Sequence, residues 1–401
     1  MTHTSRAIII GGGIAGPAAA LFLRRAGIDS RIFEAYPEPT TIGGGFQIAP
    51  NGMRVLRTLG LADQVAAAGV PSTEFVFRNR RGHTIGRIDV SPSGYGVTML
   101  RAAFHRILLD ETTRCGIPVI YGKRLHAIEQ SPDTVVAHFE DGTMATGEIL
   151  LASDGVHSRA RALVLPAHSA PRYTGFLGVG GFAEESTPGI TADAEDARQL
   201  NFTMGPRLQF GYATLSLSSP RWGWWTHLPQ ERELTRAELQ SIPDSEFRDR
   251  VLAAFRGLHA PVEGLVSSTA RVMRTAIYDV PTLPTWHVGR VMLLGDAAHA
   301  MSPAGGQGAS LALEDAMVVG VGLGRRSEPV AQTFAAAESV LRVRAERMVR
   351  QAADNDRRQL KQLGTFGQWI RDRLFPVFVP FIARELEHQY AALQDWSRAS
   401  A

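Results

Sequence analysis

A glycine-rich turn directly after a short apolar strand constrains the fold of this sequence more than any other feature. The run RAIII (Arg6–Ile10) is β-branched and apolar, which predicts a buried parallel strand. Three glycines follow at the spacing G-x-G-x-x-G: Gly11, Gly13 and Gly16. The first permits a tight turn, the second lets a pyrophosphate approach the backbone, and the third lets the next helix pack on the strand. The N-terminus of that helix offers N–H donors to phosphates.

The elements after the glycines complete a nucleotide-binding pattern. A helix is predicted from the glycines to near Gly27, and Ser30–Phe33 predicts a second strand. Glu34 ends that strand, where a carboxylate can accept hydrogen bonds from an adenosine ribose. Strand, glycines, helix, strand and acid in this order predict a Rossmann-like fold. FAD and NAD are both possible ligands on this evidence.

Composition excludes several other classes of protein. The chain has 401 residues with 44% hydrophobic and 20% charged residues, which is typical of a globular protein of two or three domains. Its one cysteine, Cys115, excludes a disulfide framework within the chain, and no His, Asp or Glu spacing is typical of a metal site. The net charge of +3 is dispersed, so we expect no nucleic-acid partner.

No stretch of the sequence predicts a membrane span. Runs of about 18 uncharged apolar residues are missing, and the apolar start is broken by glycines and Pro17, unlike a signal peptide. We therefore expect a cytoplasmic protein. The aromatic segment 366–387 contains two prolines. We expect it to pack against the rest of the protein, and a membrane-surface patch is the alternative.

The middle of the chain predicts a second strand-end acid and then a different type of sheet. Leu100–Gly116 predicts an amphipathic helix with Arg101 at its start. A later strand ends in Asp154-Gly155, followed by Ser158 and Arg161. From residue 172 onward, short strand-like runs alternate with Gly, Pro and Ser and give few helical signals, which predicts an inserted antiparallel sheet.

A second glycine-rich segment follows a buried strand late in the chain. The strand VMLL precedes GDAAHAMSPAGGQGASLALEDA (Gly295–Ala316). Two strand-end sites on one parallel sheet can face the same crevice. The two glycine-rich segments can therefore hold two ends of one long ligand.

Three motifs taken in order resemble the single-component FAD-dependent monooxygenases of the para-hydroxybenzoate hydroxylase type. They are the G-x-G-x-x-G segment with Glu34, the Asp-Gly motif at Asp154, and the Gly-Asp motif at Asp296. Gly43–Leu61 is also similar to a segment of that family. The resemblance implies an α/β fold: a Rossmann-like FAD-binding domain, an inserted mostly antiparallel substrate domain and a C-terminal helical segment. The implied boundaries are 1–70, 97–171 and 278–340 for the FAD-binding domain, 71–96 and 172–277 for the substrate domain, and 341–401 for the C-terminal helices.

The resemblance also implies that FAD lies extended along the sheet. The cofactor-binding residues that it implies are Gly11, Gly13, Ile14, Ala15, Gly16, Glu34, Ala35, Arg101, Asp154, Asp296, Pro303, Gly306, Gly308, Ala309 and Ser310. Asp296 would bind the ribityl hydroxyls, Arg101 would reach the pyrophosphate region, and Asp154 would support the pyrophosphate side and reductant docking. The backbone of Pro303 to Ser310 would line the flavin ring at the reacting position. Ser310 stands where many relatives have Asn.

The implied reaction is hydroxylation of an aromatic or polyketide-like small molecule with NADH or NADPH and O₂, through a flavin C4a-hydroperoxide. The candidate substrate-binding residues are on strands of the inserted sheet: Phe210, Tyr212, Trp224, Trp225 and His227. Alternation puts Trp222 and Trp224 on one face and Trp225 and His227 on the other, and either face can line the pocket. His227 is the candidate base for a phenol, whereas His299 is expected to be structural.

Other chemistries share these motifs. Epoxidation, Baeyer–Villiger insertion and antibiotic inactivation are alternatives of the same kind. A flavin halogenase is less favoured, because Trp222-Gly223-Trp224 is not followed by the Ile-Pro of the W-x-W-x-I-P motif. A flavin-containing binding protein without turnover is a third alternative.

Overall fold

The computed structural model describes residues 2–4, 6–39, 43–168, 170–184, 198–216, 221–325 and 328–396. The strands are β1 (Thr2–Thr4), β2 (Ala7–Ile10), β3 (Ser30–Phe33), β4 (Gly45–Ile48), β5 (Val70–Ser72), β6 (Glu74–Arg78), β7 (Thr84–Asp89), β8 (Gly96–Leu100), β9 (Val119–Ile120), β10 (Leu125–Gln130), β11 (Val135–Phe139), β12 (Met144–Gly147), β13 (Ile149–Ala152), β14 (Arg172–Glu184), β15 (Gln199–Met204), β16 (Gln209–Thr214), β17 (Arg221–Pro229), β18 (Met273–Asp279), β19 (His287–Val288) and β20 (Val291–Leu293). The helices are α1 (Ala15–Arg25), α2 (Pro50–Leu59), α3 (Ala62–Ala68), α4 (Arg101–Arg114), α5 (Arg159–Val164), α6 (Arg236–Ser241), α7 (Asp244–Ala254), α8 (Val262–Ser267), α9 (Asp296–His299), α10 (Gly308–Arg325), α11 (Val330–Gln359) and α12 (Thr365–Ala391).

A six-stranded sheet forms the centre of the nucleotide-binding half. Its order is β19-β20-β13-β2-β3-β9, and every pairing is parallel except that of β19 with β20. Strands β2, β13 and β20 are buried along their whole length, as expected of parallel strands covered on both faces. Because these three strands are neighbours and parallel, their carboxyl ends meet at one edge. Gly11, Ser153-Asp154 and Gly295 follow those ends within two residues.

A seven-stranded, mostly antiparallel sheet forms the other half. Its order is β18-β14-β17-β16-β15-β6-β7, with β15 and β6 as the one parallel pair. Its strands come from residues 74–89 and 172–279. Two smaller sheets, β1-β12-β11-β10 and β4-β8-β5, complete the strand content of the described residues. The α/β architecture with an inserted, mostly antiparallel sheet is confirmed.

The inserted half contains more helix than the sequence led us to expect. Helices α6, α7 and α8 lie between β17 and β18, in the segment for which few helical signals were recognised. The signal that was missed is a capping box, in which Thr235 accepts a hydrogen bond from Glu238 N and the Glu238 side chain accepts one from Thr235 N. Phe247 and Val251 of α7 are fully buried against one face of the sheet. That face therefore forms a core of its own.

The C-terminal helices pack on both halves. The predicted boundary at residue 340 falls inside α11, a continuous helix from Val330 to Gln359. Helix α12 packs against β7 and α2, and Arg54 of α2 donates hydrogen bonds to the carbonyls of Tyr390 and Ala392. No helix in the described ranges is both long and apolar enough to cross a membrane.

Candidate active site

The glycine turn after β2 has a geometry that side chains would prevent. Gly11 has φ +102°, and a Cβ there would lie 2.4 Å from Ser153 O. A Cβ on Gly16 would lie 2.0 Å from Gly11 O, so the start of α1 sits directly on the turn. Around Gly13, in contrast, a Cβ would meet no atom within 4 Å. This open space lies beside Ile14 and Ala15, the residue before α1 and its first residue, and it is the cradle that a pyrophosphate needs.

Glu34 is held beside the glycine turn, at the end of the cradle that is predicted to hold adenosine. Its Oε2 accepts a hydrogen bond from Gly12 N at 2.6 Å, and its Oε1 accepts one from Tyr36 N at 2.9 Å. Ala35 follows it in the turn after β3. These two backbone donors orient the carboxylate at the end of β3, next to the glycine turn. A ribose hydroxyl can bind the remaining acceptor positions of the carboxylate.

Helix α4 closes the same cradle from the other side. Arg101 is its first residue, is exposed, and donates its backbone N–H to Gly44 O at 3.0 Å. One turn later, His105 Nε2 lies 2.5 Å from Gly12 O. The sequence did not single out His105, although a histidine one turn after Arg101 on one helix face is a readable signal. The His105 contact brings the first turns of α4 to the glycine turn, and the role of Arg101 in binding the pyrophosphate stays a prediction.

The Asp154 carboxylate accepts hydrogen bonds at the N-terminus of helix α5. Its Oδ1 accepts a hydrogen bond from Ser158 Oγ at 2.5 Å and its Oδ2 accepts one from Ala160 N at 3.0 Å. Burial raises the pKa of this carboxyl group, while these hydrogen bonds act in the opposite direction. The structure thus gives Asp154 a structural task in the loop beside Gly11, and its part in reductant docking stays a prediction.

Arg161 joins the Asp-Gly motif to the Gly-Asp motif. The side chain is fully buried, and it donates from Nη1 to Ala297 O at 2.8 Å and from Nη2 to Val156 O at 2.6 Å. Ala297 lies next to Asp296 in α9. A buried guanidinium that spans two loops fixes their separation, because its donors form a rigid fork. The Arg161 side chain therefore holds the Asp154 segment and the Asp296 segment at a fixed separation.

Asp296 and the following loop form the second half of the site. Asp296 is exposed at the start of α9, and its Oδ1 lies 4.0 Å from the position of a Cβ on Gly308. Pro303–Gly305 forms a 3₁₀ turn, Gly306 has φ +62° with open space around it, and α10 begins at Gly308 and Ala309. The acid thus faces a glycine-lined loop and a helix N-terminus. This arrangement fits a ribityl chain that leads to a flat ring.

A buried ion pair behind the loop was not predicted. Asp315 Oδ2 accepts hydrogen bonds from Gly295 N and from His299 Nε2, both at 2.7 Å. Burial opposes a charged imidazole, but the Asp315 carboxylate outweighs it and raises the pKa of His299. The structural role expected of His299 agrees with this pair. The missed signal is the pair of acids Glu314-Asp315 in the otherwise apolar helix α10.

Both Glu314 and Ser310 tie α10 to α2. Glu314 accepts hydrogen bonds from Asn51 Nδ2 at 2.9 Å and from Arg344 Nε at 2.8 Å. Ser310 Oγ accepts one from Ala49 N at 3.1 Å. The side chain of Ser310 therefore points to α2, which leaves its backbone as the part that can line a flavin ring.

The two faces of β17 have different surroundings. Phe210, Tyr212 and Trp224 lie on the face covered by α6–α8, where the Phe210 and Trp224 rings stack at 5.5 Å. Trp224 Nε1 donates to Thr269 Oγ1 at 2.8 Å, so its polar atom is satisfied within that core. This placement argues against substrate contact for these three residues, which were candidates on the sequence. The alternation of Trp222 and Trp224 with Trp225 and His227 is as predicted.

The opposite face of β17 carries Trp225 and His227. His227 is 8% exposed, and its Nδ1 lies 3.3 Å from Asp356 Oδ1 of α11. The neighbouring Asn355 donates from Nδ2 to Ala304 O at 3.4 Å, which attaches this part of α11 to the 3₁₀ turn of the loop. Trp225 packs in a cluster that includes Ala49, the residue bonded to Ser310. The contacts of α11 therefore bring His227 close to the predicted ring site, whereas Trp225 lies on the same face in this cluster.

The residues in the crevice fit FAD. The glycine turn and Glu34 lie at one end, Asp296 and the loop of Pro303 to Ser310 at the other, and Arg161 connects the segments between them. Within the described ranges, no group of three or more His, Cys, Asp or Glu residues could hold a metal ion.

Comparisons with known proteins agree with this geometry. The family model described as an FAD binding domain matches residues 4–352. The chain is 31% identical over 376 residues to aurachin C monooxygenase/isomerase of Stigmatella aurantiaca, covering 92% of each chain. It is 34% identical over 317 residues to 3-amino-4-hydroxybenzoate 2-monooxygenase of Streptomyces cremeus, covering 77% of this chain and 76% of that one. The structure of Klebsiella pneumoniae HpxO complexed with FAD and uric acid matches with TM-score 0.84 and 26% identity over 97% of each chain.

Proposed function

Because this chain belongs to the family of FAD-dependent aromatic monooxygenases, we propose that it hydroxylates an electron-rich aromatic small molecule. One atom of O₂ would enter the substrate ring and the other would leave as water, with two electrons from NADH or NADPH. Bound FAD supplies the redox chemistry, taking electrons from the nicotinamide and activating O₂. The protein then has to orient the substrate, exclude water and accept one proton from the substrate.

The pairing of His227 with Asp356, near the loop of Pro303 to Ser310, is the observation that carries the choice of a phenol-like substrate. Asp356 Oδ1 accepts from the Nδ1 side of the imidazole. In the described part of the chain no hydrogen bond reaches Nε2. The carboxylate favours the tautomer with the proton on Nδ1, which leaves Nε2 as a base. Removal of a phenolic proton by Nε2 would raise the electron density of the ring that receives oxygen.

The apolar surface of the sheet around Trp225 favours a flat, apolar substrate. The Trp225 ring lies across Gly211, where a Cβ would be 2.3 Å from the indole. Farther along this face, Leu215 approaches both Gly223 and Gly45, each within 2.7 Å of a Cβ built on the glycine. Because these glycines have no side chains, the Trp225 ring and the Leu215 side chain lie directly on the backbone and form an apolar wall on this face. Such a wall suits an aromatic or polycyclic ring rather than a highly charged ligand.

A substrate panel tests the reaction. Hydroxybenzoates, hydroxylated nitrogen heterocycles and polycyclic phenols would be scored by stimulated NAD(P)H oxidation and by a gain of one oxygen in the product. Product structure by NMR would separate hydroxylation from epoxidation and ring expansion, which also add one oxygen. Absence of an oxygenated product across all three classes would refute the proposed substrate class.

Variants of the histidine test its role. We expect His227→Gln to lower kcat/KM for a phenol by roughly 10²-fold or more, the usual contribution of a general base. The loss should shrink as the pH approaches the pKa of the phenol, because solvent then supplies the phenolate. His126→Gln, an exposed histidine on β10, is the matched control. Unchanged activity of His227→Gln at every pH would remove His227 from the mechanism while leaving the reaction class intact.

A further inference from the structure

Helix α12 is apolar on two opposite sides. Its inner side packs on the inserted sheet, within a cluster that contains Val379, Ile382 and Leu386. Its outer side presents seven large apolar residues to solvent, which we call the outer stripe: Phe366, Trp369, Ile370, Leu374, Val377, Phe378 and Phe381. They make up seven of the eleven exposed large hydrophobic residues in the described part of the chain. A helix that is apolar all round is normally covered on all sides.

The outer stripe contains little charge. Arg371 and Asp372 are partly buried and pair with each other, and Arg371 also donates to Gly205 O at 2.7 Å. Arg373 is the exposed charged residue between Phe366 and Phe381. A contiguous apolar patch of this kind on a soluble surface marks an interaction site.

The charge of α12 does not favour a lipid surface as the partner. Its three arginines, at 371, 373 and 384, are balanced by three acids, at 372, 385 and 387. Helices that lie on membranes typically carry an excess of Lys and Arg on the polar face, which attracts anionic headgroups. The balanced charge removes that attraction. A protein surface with matching apolar residues is the better fit.

The spacing of the outer stripe is symmetric about its midpoint. Reversing the helix about the point between residues 373 and 374 exchanges Phe366 with Phe381, Trp369 with Phe378, and Ile370 with Val377. The two end residues are also equally exposed, at 72% for Phe366 and 70% for Phe381. A two-fold axis at that midpoint would thus lay the stripe of one copy on the stripe of another. This self-complementarity is the requirement for an isologous dimer.

We propose that the protein is a homodimer in which α12 packs antiparallel against α12 of a second copy through the outer stripe. Seven large side chains at these exposures offer on the order of 700 Å² per copy, close to the ~800 Å² per partner of a standard interface. In this register Ile370 faces Val377 of the second copy, twice per dimer. Arg373 faces Leu374 of the second copy, where its aliphatic stem can cover the leucine while the guanidinium reaches water.

Sedimentation velocity of the FAD-loaded, full-length protein tests the dimer. The wild type should sediment as a dimer. Val377→Asp should raise the dissociation constant by at least roughly 100-fold, because two unpaired carboxylates would be buried in each interface. Val343→Asp is the matched control: Val343 is 65% exposed on α11 and Val377 is 60% exposed, so only the location differs. That control should remain a dimer.

A second variant tests the antiparallel register and guards against misfolding. Ile370→Lys combined with Val377→Asp places a lysine opposite each aspartate of the other copy, and it should recover dimers. Ile370→Lys alone should give monomers, and FAD content should stay at the wild-type value in every variant. A monomeric wild type, a dimer that survives Val377→Asp, or failure of the double variant to recover dimers would each overturn the proposal. Binding of a monomeric wild type to phosphatidylcholine vesicles would assign the stripe to lipid instead.

Discussion

Replacing Asp315 by Ala should lower the affinity for FAD, although Asp315 is not itself one of the predicted FAD-binding residues. Asp315 is 1% exposed, and its Oδ2 accepts hydrogen bonds from both Gly295 N and His299 Nε2 at 2.7 Å. Gly295 directly precedes Asp296. The substitution therefore leaves a buried backbone N–H and a buried histidine without their acceptor, at the turn before Asp296, the acid that is predicted to bind the ribityl chain.

The expected magnitude follows from burial. Removing one partner of a buried ion pair costs about 3–5 kcal/mol, a large fraction of the ~5–15 kcal/mol that stabilises a typical domain. The freed Gly295 N–H alone accounts for about 1–3 kcal/mol of this loss. If half of this 1–3 kcal/mol appears as misplacement of Asp296, FAD affinity falls by about twofold to twelvefold.

Two measurements check this expectation. Denaturant unfolding of the apoprotein gives the loss in unfolding free energy, and flavin fluorescence titration gives the FAD dissociation constant. Asp110→Ala, an exposed acid on α4, is the control and should change neither. In a double-mutant cycle, Asp315→Ala and His299→Ala should be strongly non-additive, because either change alone breaks the same pair. A loss below about 1 kcal/mol for Asp315→Ala, or additive effects, would refute the claim that this pair supports the loop.

The remaining predictions concern other parts of the same structure. Arg161→Lys should lower both stability and FAD affinity, since one ammonium cannot replace the fork that reaches Ala297 O; unchanged FAD titration would contradict this. Trp224→Ala should cost about 3–5 kcal/mol in unfolding free energy, whereas Trp225→Ala should mainly raise KM. Equal losses of stability in the two variants would contradict the assignment of Trp224 and Trp225 to different faces of β17. The raised pKa of His299 means that its pairing stabilises the fold fully below its unfolded pKa of about 6.5 and that this gain is lost as pH rises through the folded value. The stability advantage of wild type over His299→Gln, measured by unfolding at several pH values, should therefore decrease with rising pH, and a rising advantage would refute it.

The nucleotide-binding half could be predicted because its signals are local. Gly11 is required by its backbone conformation, with φ +102°, and Gly16 by its contact with Gly11 O. The strand before these glycines and the acid after them lie at fixed distances along the chain. The helix at Leu100–Gly116 was likewise predicted from spacing alone, and the structure has it at Arg101–Arg114. The proposed domain boundaries and individual FAD contacts stay predictions.

The inserted half was harder to predict because its geometry depends on what packs against it. Period-two alternation assigned Trp224 and Trp225 to opposite faces of β17, but the face that becomes core is decided by α6–α8. Helix α6 was missed because the capping box at Thr235 was not recognised. The partner of Asp315 could not be predicted from periodicity, since the pair joins α10 to His299 at the end of α9, 16 residues earlier in the chain.

The Asp296→Ala variant tests the central claim most directly: that the glycine turn at Gly11 and the loop after Asp296 hold two ends of one FAD. Asp296 is exposed at the start of α9 and faces Gly308, so its removal should leave the apoprotein's unfolding free energy close to that of the wild type. The FAD content of the purified variant, measured against wild type and the Asp110→Ala control, should fall well below one flavin per chain. Full FAD retention with full activity would contradict the assignment of this loop to the flavin.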